Sequence, residues 1–260
     1  MIDTHCHVDL YPRPTEVAEE ANRLQVFTIG VTNLPSAFDR AYPYVRQFTN
    51  LRLALGLHPL LAKEHLAERA RFQLLLDQTS YIGEVGLDFS RDGVATKELQ
   101  VESFRFVLRV MRGMQKFITL HSRRAETAVL DLLEEEKRSP VVFHWFSGSR
   151  ATLNRALALG HLFSVNPAML NSPNGQKIVA GLPPERVLTE SDGPFVRVDG
   201  RVAIPADVAL VEDYLSKLWK VSKRQVGAQI RENFLRLIEP LQRSVGGSKG
   251  PNLSDARGSS

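Results

Sequence analysis

Ile2-Asp3-Thr4-His5-Cys6-His7-Val8-Asp9-Leu10-Tyr11-Pro12-Arg13-Pro14 begins as a short apolar-framed run and ends in a turn without glycine. In a β-strand, successive side chains alternate between faces, so His5 and His7 point the same way. Two imidazoles on one side of a strand can grip a metal ion. Two surface histidines in a frayed terminus are the plain alternative. The turn bears on the fold. A doubly wound open sheet usually carries a Gly-rich phosphate loop after its first strand, and Asp9–Pro14 has no glycine to form one.

Working outward, short apolar runs recur at 2–8, 25–32, 51–57, 81–87, 117–122, 140–146, 161–166 and 186–191. Segments of helical period lie between and after them, at 15–24, 36–49, 64–78, 97–115, 124–137, 149–159, 173–181, 205–219 and 222–238. Thr15 with Glu16, Ser149, Ser172 and Ser222 are placed to cap helices. The strands are apolar throughout rather than alternating, as expected where both faces are covered. Eight strand–helix units predict an α/β chain folded as a (β/α)8 TIM barrel, one domain over 1–240. Residues 241–260, Gly- and Ser-rich from Ser244 onward, read as a flexible tail.

With 260 residues, 43% apolar and 24% charged, the chain can bury a full core like an ordinary globular protein. No apolar run reaches the roughly 18 residues of a membrane helix, so no membrane association is expected. Cys6 is the single cysteine, which rules out an intrachain disulfide and fits a reducing cytoplasm. The net charge is +4, but Arg243, Lys249 and Arg257 against Asp255 supply +2 of it in the last twenty residues. A body of only +2 does not argue for broad electrostatic binding of nucleic acid. Any such contact must be local.

Barrel chemistry sits at the C-terminal ends of the strands. Five of the seven histidines fall there: His5, His7, His58, His121 and His144. Glu84 and Asp88 lie on the fourth strand and Glu190 and Asp192 on the eighth. His5, His7, Glu84, His121, His144 and Asp192 mix imidazole with carboxylate, which suits divalent Mg, Mn or Zn and disfavours a calcium-only cage. Six donors are too many for one tetrahedral ion and suit two. A carboxylate bridging two ions about 4 Å apart is the hydrolytic bimetallic arrangement, and Glu84 is placed to be that bridge.

Each residue also has a plainer reading. Glu84 could cap a loop, although a carboxylate inside an apolar strand is costly unless paired or metal-bound. His121 and His144 could be core histidines. Asp192 before Gly193 could be a turn residue, and His58 before Pro59 could simply end its strand. Asp88 either supports a ligand or starts a loop. Arg123 either clamps a phosphate or opens a helix at the surface. Trp145 reads as packed against helices rather than stacked on a base. Glu190 reads as support for a ligand, Cys6 as inert core, and His65 and His161 as ordinary positions.

Six motifs in order, HCH, GLHP, GEVGLD, LHSR, HWFSGS and ESDGP, with Asn233-Phe234 near the end, resemble the TatD-type metal-dependent deoxyribonucleases over residues 2–238. The chain also resembles the nuclease component of a Qat anti-phage defence cassette. The resemblance implies a barrel, two or three divalent ions and phosphodiester hydrolysis, often exonucleolytic on single-stranded DNA. It implies one metal at His5, His7, Glu84 and Asp192, and a second at Glu84, His121 and His144. His58 would lie by the substrate phosphate or a further ion. Asp192 is the candidate base, Glu84 the catalytic bridge, and His58 and Arg123 the substrate contacts. The loop at 89–98 is short and the stretch after Asp192 is reduced, which leaves substrate length and strand preference open. One rival is an ester or amide hydrolase on the same scaffold, including an aminoacyl-tRNA deacylase. Such barrels often use a carboxylated lysine, and none sits mid-strand here. The other rival is a subunit active only with other proteins of a defence cassette.

Overall fold

The computed structural model describes residues 1–244. Eight strands form: β1 (Ile2–Cys6), β2 (Phe27–Val31), β3 (Leu51–Leu57), β4 (Tyr81–Gly86), β5 (Phe117–His121), β6 (Val142–His144), β7 (Leu162–Val165) and β8 (Val187–Thr189). They pair in parallel and in chain order from β1 to β8. Helices α1 (Pro14–Arg23), α2 (Pro35–Val45), α3 (His65–Leu75), α4 (Lys97–Val110), α5 (Glu126–Glu135) and α6 (Arg150–Ala158) alternate with them. This is the (β/α)8 barrel the alternation predicts. Ile29, Val31, Leu55, Ile82 and Val85 on central strands are fully buried, and each such side chain stabilises the fold by about 1.5–3 kcal/mol.

The barrel closes by side chains at the seam between β8 and β1. Thr4 Oγ1 donates to Thr189 O at 3.0 Å, and the Thr189 hydroxyl donates to Ile2 O. Asp3 accepts from Ser191 N at 2.9 Å and from Ser191 Oγ at 2.5 Å. Two backbone bonds follow at the rim, Asp192 N to His5 O at 2.9 Å and His7 N to Gly193 O at 2.8 Å. The seam therefore fixes Asp192 against His5 and His7, although about 190 positions separate them in the chain. Gly56 on β3 serves the same region, since a Cβ there would lie 1.6 Å from Thr32 O and 2.9 Å from Glu84 N. Only glycine lets that backbone approach so closely.

Capping agrees with the sequence at three of four positions. Ser149 Oγ accepts from Thr152 N at 3.2 Å and Ser172 Oγ from Gly175 N at 3.0 Å. Ser222 and Gln225 satisfy each other's backbone N–H groups ahead of the last helix. Thr15 is not a cap: Pro14, with its fixed φ, starts α1 and leaves Thr15 inside the first turn.

Strand ends are shorter than the apolar runs suggest. β6 stops at His144 because Trp145 turns to φ +38°, and beyond β8 Asp192 turns to φ +47°. Further elements follow: α7 (Pro167–Leu170), α8 (Pro173–Ala180), the hairpin strands β9 (Arg197–Val198) and β10 (Arg201–Val202), α9 (Val208–Trp219) and α10 (Lys223–Ser244). The sequence reading missed α7 and the hairpin. Asp199-Gly200, both at positive φ, is the turn signal that was available for the hairpin. α10 continues to Ser244, and the rest of the expected tail lies outside the described residues. Among those residues no helix is long and apolar enough to cross a membrane.

Candidate metal centre

Five histidines converge on one carboxylate. Glu84, 1% exposed within β4, directs Oε2 to His5 Nε2 at 3.4 Å, His7 Nε2 at 3.2 Å and His58 Nε2 at 3.3 Å. Its Oε1 lies 2.6 Å from His121 Nδ1 and 3.6 Å from His144 Nε2. Asp192 Oδ1 stands 3.9 Å from the Nε2 atoms of both His5 and His7. The rings of His5 and His144 stack at 3.8 Å. His7 lies just past β1, yet its ring still faces that of His5 at 5.2 Å.

The outward nitrogens are held by the surrounding strands. His5 Nδ1 meets Thr119 Oγ1 at 2.9 Å, His121 Nε2 meets Asp88 Oδ2 at 2.7 Å, and His144 Nδ1 meets Glu190 Oε1 at 3.1 Å. Glu190 is fixed in turn by Asn166 Nδ2 at 2.9 Å, Trp145 N at 3.1 Å and the Ser164 hydroxyl. Holding one nitrogen in this way orients the other toward the centre. His58 differs. Its Nδ1 accepts from Leu60 N at 3.2 Å, so the neutral ring carries its proton on Nε2 and offers a donor rather than a lone pair.

Charge follows from this company. Burial pushes the Glu84 carboxyl up, but His58, His121 and His5 outweigh it and hold the group well below the usual range. Burial likewise opposes charge on His121 and His144, and their carboxylate neighbours overcome it, to about 9 and about 10. His5 goes the other way, to about 3, through burial and the neighbouring His144. Asp192 is pushed up to about 7 by burial, against the pull of His144 and His7. Asp88 falls to about 2 because hydrogen bonds from His121 and Ser90 outweigh burial.

These residues fit a divalent cation. His5 Nε2, which faces Glu84 and Asp192, is buried with no hydrogen-bond partner, as a nitrogen whose lone pair serves a cation would be. No lysine or arginine among the described residues pairs with Glu84, Asp88, Glu190 or Asp192. Three triads have ligand atoms within 4.8 Å of one another: His5, His7 and Glu84; His5, His144 and Asp192; His58, Glu84 and His121. His144 lies by both expected groups, its ring stacked on His5 and its Nε2 3.6 Å from Glu84 Oε1, and His58 stands beside Glu84 and His121.

All six expected ligands and His58 thus share one cluster at the mouth of the barrel. Arg123 does not join it. Its side chain is exposed and bonds to none of the cluster residues, and only its backbone oxygen is engaged, by Phe89 N at 3.0 Å. Trp145, expected to pack against helices, is 38% exposed and follows a left-handed backbone at φ +38°. Cys6, His65 and His161 are buried; His65 Nε2 lies 2.9 Å from His58 O, behind the cluster. Asp3 and Thr119 were missed; a buried polar residue on a strand is the only signal the sequence offered for them.

The family model described as TatD related DNase matches residues 2–239. A human protein named deoxyribonuclease TATDN3 is 24% identical over 93% of this chain and 96% of its own length. A protein of Escherichia coli K12 named uncharacterized metal-dependent hydrolase YcfH is 28% identical over 92% of this chain and 95% of its own. Among solved structures, the Escherichia coli TatD homolog YJJV superposes with a TM-score of 0.81 at 26% identity, covering 91% of this chain and 97% of that one. A TatD family hydrolase from Entamoeba histolytica, at 18% identity and a TM-score of 0.79, shares the fold.

Proposed function

The chain belongs to the TatD-related DNase family, and from that premise we propose that it is a divalent-metal-dependent nuclease hydrolysing DNA phosphodiester bonds, exonucleolytically and with preference for single strands. The observation that carries the reading is Glu84, one buried carboxylate faced by five histidines within 3.6 Å. His5, His7, Glu84 and Asp192 would hold one cation, and Glu84, His121 and His144 a second, whether Mg, Mn or Zn. Bound there, divalent cations supply Lewis-acid activation of water and neutralise charge on the phosphoryl oxygens. The chain's own groups do the rest. Asp192, at the edge of the donor cluster with Oδ1 3.9 Å from the Nε2 atoms of His5 and His7, would accept a proton from the attacking water. His58 donates Nε2–H to a phosphate oxygen, and Arg123 meets the backbone from the solvent side. The weak net charge supports a contact confined to this mouth. A place in an anti-phage cassette belongs to the same proposal and rests on the resemblance alone, and the lone buried Cys6 supports a cytoplasmic setting.

The test is an assay of the purified chain on end-labelled single- and double-stranded DNA with Mg, Mn or Zn, and with EDTA. Trimming from one end that stops with EDTA is expected. Ester cleavage without DNA cleavage overturns the reading. Silence until cassette proteins are added would move the activity to the complex.

A further inference from the structure

Tyr44, Trp145 and Phe195 are the exposed aromatic side chains among the described residues, and two of the three adjoin the metal centre. Phe195, 60% exposed, stands edge-on to the His7 ring at 4.9 Å. Trp145 lies 6.3 Å from the His144 ring at 80°. His7, His5 and His144 touch in sequence between them, at 5.2 and 3.8 Å. One continuous row of rings therefore crosses the centre with an exposed aromatic at each end.

Neither exposed ring is there by slack. A bulky residue at φ +38° is strained, and such strain persists only where surrounding bonds impose it. Trp145 N donates to Glu190 Oε1 at 3.1 Å, the same oxygen that takes His144 Nδ1. The carboxylate that aims His144 into the centre thus also fixes the turn that lifts the indole out of it. Phe195 is placed likewise, its N donating to Asp192 O at 2.9 Å. Exposed aromatic faces forfeit the stabilisation of burial, and flat rings fixed beside a phosphate-handling centre suit one ligand chemistry, the face of an unpaired base.

We propose that Trp145 and Phe195 form a nucleobase-stacking subsite on either side of the metal centre. It positions the bases flanking the scissile phosphate and sets the preference for unpaired ends, since a base within a duplex is already covered on both faces. The proposal rests on the nuclease reading for its role in turnover, but not for binding.

Two arms test it. In the first, Trp145→Ala, Phe195→Ala and Trp145→Phe are assayed on a single-stranded oligonucleotide and on the same strand with two abasic tetrahydrofuran residues at each end. The alanine variants should raise KM about tenfold on the base-bearing strand with little change in kcat. Trp145→Phe should restore most of that, and on the abasic strand the variants should match the parent. Equal loss on both strands, or no loss on the base-bearing one, overturns the proposal. In the second arm, Trp219→Phe leaves Trp145 as the sole tryptophan, and its fluorescence is titrated with phosphorothioate-protected versions of both strands. Quenching by the base-bearing strand alone supports the subsite even if no DNA is cleaved. Identical response to both, or none, overturns it even if DNA is cleaved.

Discussion

His144 and His161 are both buried, at 6% and 1% exposure, yet they carry opposite charge tendencies. His144 ends β6 at the mouth of the barrel, where Glu190, Asp192 and Glu84 outweigh burial and lift it to about 10. His161 precedes β7 at the opposite end, the base. There burial lowers it to about 4, the nearby Arg186 adds to the fall, and Glu134 opposes it without prevailing. Burial is common to both positions, but only His144 has a carboxylate in contact, Glu190 at 3.1 Å, while Glu134 acts on His161 from farther off. The base spends its cations on backbone: Lys116 Nζ donates to Leu76 O and Thr79 O, each at 2.7 Å, and Arg138 Nη1 to Met114 O at 2.8 Å. The mouth gathers five imidazoles around one carboxylate, Glu84, with Asp192 beside them. One end of the barrel completes the fold, and the other is held ready for a ligand.

The sharpest way to break this contrast is Glu84→Gln, which removes the carboxylate the five histidines share. Divalent-dependent DNA hydrolysis should fall by about a thousandfold or more, and elemental analysis should find the retained metal reduced. A variant that keeps both its metal and its rate would show that the mouth is not a metal centre. A smaller effect is expected one layer out. Asp88→Asn weakens the hold on His121 Nε2 without touching Glu84, and a loss of about 10- to 100-fold in activity or metal affinity follows. Metal titration followed by activity separates the two effects. An unchanged Asp88→Asn would mean that His121 is oriented by Glu84 alone.

What could be read in advance follows the same division. Glu84 was legible because a carboxylate inside an apolar strand demands a partner, and the strand-end histidines because parallel barrels open at one end. The stacking of His144 on His5 was not, because barrel closure brings them together and no local pattern encodes it. Asp3 shares strand parity with His5 and His7, but its partner Ser191 is 188 residues away, so only the closed seam reveals it. Trp145 was misjudged because apolar neighbours suggest burial, whereas its left-handed backbone decides the outcome. Arg123 sits at the right strand end, but its side chain leaves the cluster for solvent.

The smallest expected effect tests the base. His161 has a folded pKa of about 4 against about 6.5 in an unfolded chain. As pH falls below 6.5, the unfolded chain takes up a proton that the native ring refuses, so the native state loses stability down to about pH 4. At pH 5.5 that loss is on the order of 1 kcal/mol. His161→Gln keeps an acceptor for Val141 N, which donates to His161 Nδ1 at 3.3 Å, and removes the titration. Denaturant unfolding at pH 7.5 and 5.5, both proteins in EDTA, should show the variant losing about 1 kcal/mol less than the parent. The mouth histidines are common to both proteins and drop out of the difference. If the variant loses as much as the parent, Glu134 is holding His161 charged, and the base resembles the mouth after all.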